Sequence, residues 1–195
     1  MFDFLALAQE CAPGVHPQTM AAVARVESGY NPFAIGVVGG HLVRQPVDRA
    51  EAVATARSLE AQGFNFSLGV GQVNRYNLTR FGLDDESAFD ACANLRAGAA
   101  ILTECYARAR RSVADEQAAL RASFSCYYSG NFATGFREGY VAKVVGSAAA
   151  AKATSIPVVR DASAKSKRRT RTGAEDAPVS SPATETPQPR TALLF

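Results

Sequence analysis

The sequence predicts a mainly α domain carrying one small β-hairpin, with a disordered tail after it. Three observations predict this. Apolar residues recur at helical spacing along the first ~150 positions. The one clear β signal is a pair of β-branched runs around Gly39-Gly40. The composition then changes after about residue 153, where Pro, Ser, Thr and Ala replace any apolar period.

The elements follow in order. Residues 2–11 read as a short helix stopped by Pro13-Gly14. Residues 17–28 form a second, with Pro17 suited to its first turn and Gly29 and Asn31-Pro32 ending it. "AIGVVGGHLVR" predicts a hairpin near 35–44. Residues 49–62 are helical, with Asp48 and Glu51 as a capping box and Gly63 as the stop. "FNFSLGVGQVN", residues 64–74, alternates but holds two glycines, and reads as a tightly approached loop rather than a sheet strand. Asn74 caps a short helix over 75–81. Longer helices cover 92–110 and 115–129, and a last one covers 139–152. The domain is therefore 1–152. Residues 153–195 cannot bury enough apolar surface to offset ordering, and are expected to be a disordered tail with a basic cluster, "KSKRRTR", and an apolar end, "ALLF".

The net charge of +3 excludes a strong polyanion binder over the whole chain, so no nucleic-acid partner is expected. No apolar run approaches the roughly 20 residues of a membrane span. The start, "MFDFLALAQECAPG", has an acidic residue and no basic flank, and does not qualify as a signal peptide; export by another route, or a trimmed or misplaced start, is expected. The two histidines, His16 and His41, lie in no ligand pattern with cysteine, so no metal is expected. Cys11, Cys92, Cys105 and Cys126 are compatible with two disulfides in an oxidising compartment, or with four buried thiols in a reducing one. If they pair, Cys92 with Cys105 is excluded, because thirteen helical residues span about 20 Å while bridged Cα atoms lie within ~7 Å. Cys11–Cys92 with Cys105–Cys126, or Cys11–Cys105 with Cys92–Cys126, remain. The first is preferred because the last two long helices are neighbours in sequence.

One carboxylate is out of place. Met20, Val23 and Ala24 share a helix face, and Glu27 continues that series seven residues after Met20. The helix ends just beyond it, where the partial negative charge of the helix terminus disfavours a carboxylate. Desolvation in a cleft would act in the same direction and raise its pKa. A group that stays protonated near neutral pH can serve as a general acid.

Three motifs accompany it in order: "ESGYNPFA" at 27–34, "GVGQVN" at 69–74 and "CYYSGN" at 126–131, with "NLRAGAAIL" at 94–102 between the last two. Over roughly residues 4–146 this resembles the soluble lytic transglycosylase family. The spelling of "QVNRYNL" and "CYYSGN" most resembles the peptidoglycan-cleaving subunit of bacterial type IV secretion systems. The resemblance implies an α+β, goose-type lysozyme-like fold with the hairpin beside the cleft. It also implies Glu27 as the single catalytic acid/base, and Tyr127 as the tyrosine whose hydroxyl points at that glutamate. Ser28 would orient the acetamido group of the substrate, and Gln72 and Asn74 would line the sugar cleft. Two positions depart from the family pattern. Gly71 replaces a frequent methionine, which would open one wall of the cleft. Tyr128, also taken as substrate-binding, stands where asparagine is usual.

Most glycosidases flank the scissile bond with two carboxylates. Near these motifs only Glu27 is present, since Asp48 reads as a cap, Asp84 and Asp85 as a turn, and Asp90 as the lead into the long helix. A one-carboxylate enzyme needs its substrate to supply the nucleophile, which the acetamido group and 6-hydroxyl of N-acetylmuramic acid can do. The expected activity is therefore non-hydrolytic cleavage of peptidoglycan in the periplasm, with no cofactor, and with the tail as a contact for secretion components. The alternatives are a lysozyme-type hydrolase of the same bond and a wall-binding assembly factor with minor catalysis.

Overall fold

The computed structural model describes residues 3–152. Among them the chain forms α1 (Phe4–Cys11), α2 (Pro17–Ser28), β1 (Ile35–Val37), α3 (Arg49–Ala61), β2 (Phe66–Leu68), β3 (Val73–Asn74), α4 (Ala91–Arg110), α5 (Glu116–Ser129), α6 (Thr134–Arg137) and α7 (Tyr140–Lys152). Short 3-10 turns occupy Arg75–Asn77, Thr79–Phe81 and Ser87–Phe89. The mainly α class with a small β element is therefore borne out. The expected tail, its basic cluster and its apolar end lie outside the described residues.

Aspartate starts four of the helices. Asp3, Asp48, Asp90 and Asp115 each accept from a backbone N–H of the first turn, at α1, α3, α4 and α5. Each such cap contributes on the order of 1 kcal/mol. At α3 the capping box is only half formed. Asp48 accepts from the Glu51 N–H, but Glu51 takes the Val47 N–H and an ion pair with Arg44.

The core has two main parts. Met20, Val23, Leu95, Leu102, Phe124 and Val144 join α2, α4, α5 and α7. Ile35, Ala56, Leu59, Phe66, Leu68 and Phe89 fill the space between the sheet, α3 and the start of α4. Cys11–Cys92 ties α1 to α4 and Cys105–Cys126 ties α4 to α5, with Cα atoms 5.1 and 5.7 Å apart. This is the preferred pairing of the two left open by the sequence.

The sheet differs from the expected hairpin. Ile35–Val37 does not pair with residues 41–44; β1 pairs antiparallel with β2, in the register Ile35↔Leu68 and Val37↔Phe66, and β2 pairs with β3. The reason lies in Gln45. Its Oε1 accepts from the Ile35 N–H at 2.8 Å and its Nε2 donates to the Ile35 carbonyl at 3.0 Å. One side chain thus occupies the strand edge that a hairpin partner would have used. Residues 64–74, read as a loop, supply both other strands, and the helix expected at 75–81 is two 3-10 turns closed at Gly82 (φ 71°).

Candidate active site

The end of α2 is shaped by two successive left-handed residues, Gly29 (φ 61°) and Tyr30 (φ 69°). They turn the chain sharply, so that Ala34 and β1 run back past Glu27 toward the loop 69–72. That loop is held by five sets of hydrogen bonds. Gly69 N–H donates to the Ala34 carbonyl at 2.9 Å. The Ser28 hydroxyl donates to the Val70 carbonyl at 2.8 Å. Gln72 Nε2 donates to the carbonyls of Ala34 (3.0 Å) and Gly69 (2.9 Å).

The fourth tether is Asn94, fully buried on the first turn of α4. Its Oδ1 accepts from Gly71 N–H at 2.7 Å, and its Nδ2 donates to the carbonyls of Leu68 (2.9 Å) and Ala88 (2.8 Å). Gly69 has to be glycine here. Its φ is 78°, and a Cβ would lie 2.3 Å from both the Ala88 oxygen and Asn94 Nδ2.

Above this loop stand three tyrosines. Tyr127 and Tyr128 lie on the last turn of α5, which stops at Gly130 (φ 75°). Tyr140 opens α7 after Gly139 (φ 76°). The Tyr127 hydroxyl donates to the Gly71 carbonyl at 2.5 Å. It sits in a niche left by two missing side chains, since a Cβ at Gly98 would lie 2.9 Å from it and one at Gly71 3.1 Å. Position 71 therefore faces Tyr127 and Asn94 rather than an opened cleft wall. The glycine of "NLRAGAAIL" has a physical reason of the same kind.

The hydroxyl bonded to Glu27 is not that of Tyr127. Tyr140, 5% exposed, donates its O–H to Glu27 Oε1. This corrects the expectation that Tyr127 points at the glutamate. Tyr127 remains close enough for the Glu27 charge to raise its own pKa, after burial, the larger cause. Tyr140 was missed because nothing in its spacing separates it from an ordinary first-turn core residue. The Tyr128 ring stacks on Tyr140, with centroids 4.7 Å apart and planes 17° apart, and its hydroxyl donates to Glu138 at 3.0 Å.

The cleft holds about 520 Å³. Glu27, Gln72, Asn74, Asn77, Tyr127 and Tyr128 supply polar groups to it, and Val37, Val38 and Ile101 supply apolar wall. Among the described residues that line it, Glu27 carries the one carboxyl. Burial raises the Glu27 pKa to about 7, and the hydrogen bond from Tyr140, which favours the ionised form, offsets part of that rise. Near neutral pH this group is thus poised both to give and to take a proton.

The other expected site residues hold the cleft in shape. Gln72, with φ 50°, directs its amide nitrogen into the loop, and a Cβ at Gly36 would lie 2.5 Å from its Oε1. Asn74 caps the following 3-10 turn through Oδ1 and donates to Asn65 at 2.9 Å. The Ser28 hydroxyl is shared between the Val70 and Ala24 carbonyls, and so fixes the loop against the helix that carries Glu27.

Residues 4–143 match the family described as the transglycosylase SLT domain. The chain is similar to the type IV secretion system protein virB1 of Brucella abortus biovar 1 (strain 9-941), 58% identical over 165 residues, which cover 82% of this chain and 68% of that protein. It is 60% identical over 154 residues to the type IV secretion system protein virB1 of Brucella suis biovar 1 (strain 1330), covering 76% and 65%. It is 37% identical over 144 residues to protein virB1 of Rhizobium radiobacter, covering 73% and 59%. No solved structure matches the chain.

Proposed function

The chain belongs to the transglycosylase SLT domain family, and we propose that it is a peptidoglycan lytic transglycosylase that opens the cell wall locally for a type IV secretion system. The observation that carries this reading is a lone cleft carboxyl whose pKa is raised to about 7. Such a group can protonate a leaving oxygen at neutral pH, and among the described residues that line the cleft no second carboxylate accompanies it to form a glycosyl ester or to activate water.

The chemistry then belongs partly to the substrate. Glu27 gives its proton to the glycosidic oxygen between N-acetylmuramic acid and N-acetylglucosamine as the anomeric C–O bond breaks. The acetamido oxygen of the muramic residue stabilises the positive charge left on the anomeric carbon. The 6-hydroxyl of the same sugar attacks that carbon, and the Glu27 carboxylate takes its proton. One C–O bond breaks and one forms, no water enters, Glu27 ends protonated, and the product is a 1,6-anhydro sugar. Tyr140, bonded to Oε1, orients the carboxyl so that Oε2 carries the travelling proton, and its O–H stabilises the carboxylate between the two transfers. Ser28, Gln72 and Asn74 hold the loop wall of the sugar cleft, with Tyr127 locking that loop from above and Tyr128 offering substrate a partly exposed ring.

Two disulfides fit a periplasmic location, and no helix among the described residues is long and apolar enough to cross a membrane. Residues 153–195, with the basic cluster "KSKRRTR", would contact other secretion components. The test is release of muropeptides from purified cell wall. The wild-type protein is expected to release them, and Glu27→Gln, folded to the same extent, to be slower by at least ~10²-fold, the scale of acid–base catalysis. Near-normal release by Glu27→Gln would refute the assignment. Wall binding by the wild-type protein without release would favour an assembly factor.

A further inference from the structure

Glu27 depends on Tyr140, and Tyr140 depends in turn on what covers its ring. One face of that ring is covered by Tyr128, nearly parallel at 4.7 Å between centroids. Tyr128 is an awkward cover. It lies on the last turn of a helix and is 46% exposed, so its side chain has open solvent to swing into. Its polar end is held by a hydrogen bond of 3.0 Å to Glu138 Oε2. Glu138 is two residues before Tyr140, across the left-handed Gly139. Its backbone N–H is fixed on the Thr134 carbonyl at 2.9 Å, and its other carboxylate oxygen lies 3.4 Å from Arg137. The tight turn that delivers Tyr140 to the catalytic carboxyl therefore also delivers the anchor for the ring lying over Tyr140.

We propose that Glu138 is a positioning residue for the reaction: by holding the Tyr128 hydroxyl, it keeps the Tyr128 ring stacked on Tyr140 and so shields the Tyr140–Glu27 pair from cleft water. Glu138 touches neither the substrate nor Glu27 and acts through two phenols. The proposal rests on the reading of Glu27 as the acid/base. Its physical content is that an exposed carboxylate controls how dry a buried one is. The titratable groups that interact with Glu27 are the phenols of Tyr127, Tyr128 and Tyr140. Beyond them, the charged groups at this turn are Glu138 and its neighbour Arg137.

Three variants separate the hydrogen bond from the charge. Tyr128→Phe keeps the ring and the Glu138 charge but removes the bond. Glu138→Ala removes both the bond and the charge. Glu138→Gln removes the charge but keeps an acceptor oxygen. Tyr128→Phe and Glu138→Ala should each lower kcat on soluble glycan fragments roughly tenfold, the scale of one hydrogen bond to a charged group, and the double variant should be no worse than either alone. Both should also move the alkaline limb of the activity profile to lower pH, because a wetter Glu27 ionises more readily. Glu138→Gln should recover most of the loss. The same order should appear without any turnover in an NMR titration of the carboxyl carbon of Glu27. That arm keeps the proposal testable even if the protein proves not to be a transglycosylase. A Glu138→Gln variant as impaired as Glu138→Ala would overturn the proposal, since charge would then be the cause. So would a Tyr128→Phe variant with unchanged Glu27 titration.

Discussion

Glu27 should make the wild-type protein less stable at alkaline pH than a variant without the charge, and the size of the effect follows from its burial. The folded pKa is about 7, against 4.5 for the unshifted group. A group whose pKa is raised on folding favours the fold while protonated. That contribution is fully present below about pH 4.5 and is lost as pH rises through about 7. A gap of this size corresponds to roughly 3 kcal/mol once ionisation is complete. The carboxyl keeps one side toward the cleft, where water reaches it, so the expected difference is about 1–2 kcal/mol. Gln at position 27 still accepts the Tyr140 hydrogen bond but cannot ionise. Glu27→Gln should therefore match the wild-type protein near pH 4 and exceed it by about 1–2 kcal/mol at pH 8.5. Urea denaturation followed by far-ultraviolet circular dichroism, with both disulfides kept oxidised, measures this at each pH. A Glu27→Gln protein no more stable than wild type at pH 8.5 would refute the reasoning, because Glu27 would then be no more desolvated than a surface carboxylate.

Other perturbations have equally definite outcomes. Asn94→Ala removes a partner of the Gly71 N–H and of the Leu68 and Ala88 carbonyls; thermal melts should show a loss of at least ~2 kcal/mol, since the buried Gly71 N–H and Ala88 carbonyl lose the side chain that satisfies them. Tyr140→Phe removes the hydroxyl that favours ionised Glu27. It should lower kcat and move the alkaline limb of the pH profile upward, the opposite of the shift expected for Tyr128→Phe. The loop closed by Cys11–Cys92 spans 81 residues and that closed by Cys105–Cys126 spans 21. On chain entropy the first contributes about 4.5 kcal/mol and the second about 3.3 kcal/mol, so the Cys11→Ala/Cys92→Ala protein should denature at lower urea concentration than the Cys105→Ala/Cys126→Ala protein. Ending the chain after residue 152 should change stability by no more than about 0.5 kcal/mol; a larger fall would show that the remainder packs on the domain.

The helices were legible because their signals are local. Aspartate caps, Pro17, Gly29, Gly63 and Gly130 sit at element ends, and helical spacing runs between them. Glu27 was legible because a charge interrupts that spacing. The sheet was not legible in the same way. Val37 and Leu42 look like hairpin neighbours, but the partner of Ile35–Val37 lies about thirty residues on, beyond α3. A two-residue period says nothing about which strand lies alongside, and the preference for Phe66–Leu68 comes from Gln45 and from the shared core under β1 and β2. The site divides the same way. The motifs marked Gln72, Asn74, Ser28 and Tyr127, but the same residue types serve sugar contact and loop anchoring alike, and the hydrogen bonds place these side chains mainly as anchors. Tyr140 and Glu138 reach the site only through the turn at Gly139, a relation that no spacing in "TGFREGYV" displays.

One carboxylate, working with the substrate's own hydroxyl, is tested most directly by the mass of the sugar ends that the wild-type protein releases from peptidoglycan. Muropeptides ending in 1,6-anhydro-N-acetylmuramic acid, lighter by one water than their reducing counterparts and absent with Glu27→Gln, are the predicted result. Products ending in reducing sugars would contradict it, because a water activated by some other group would then have completed the reaction.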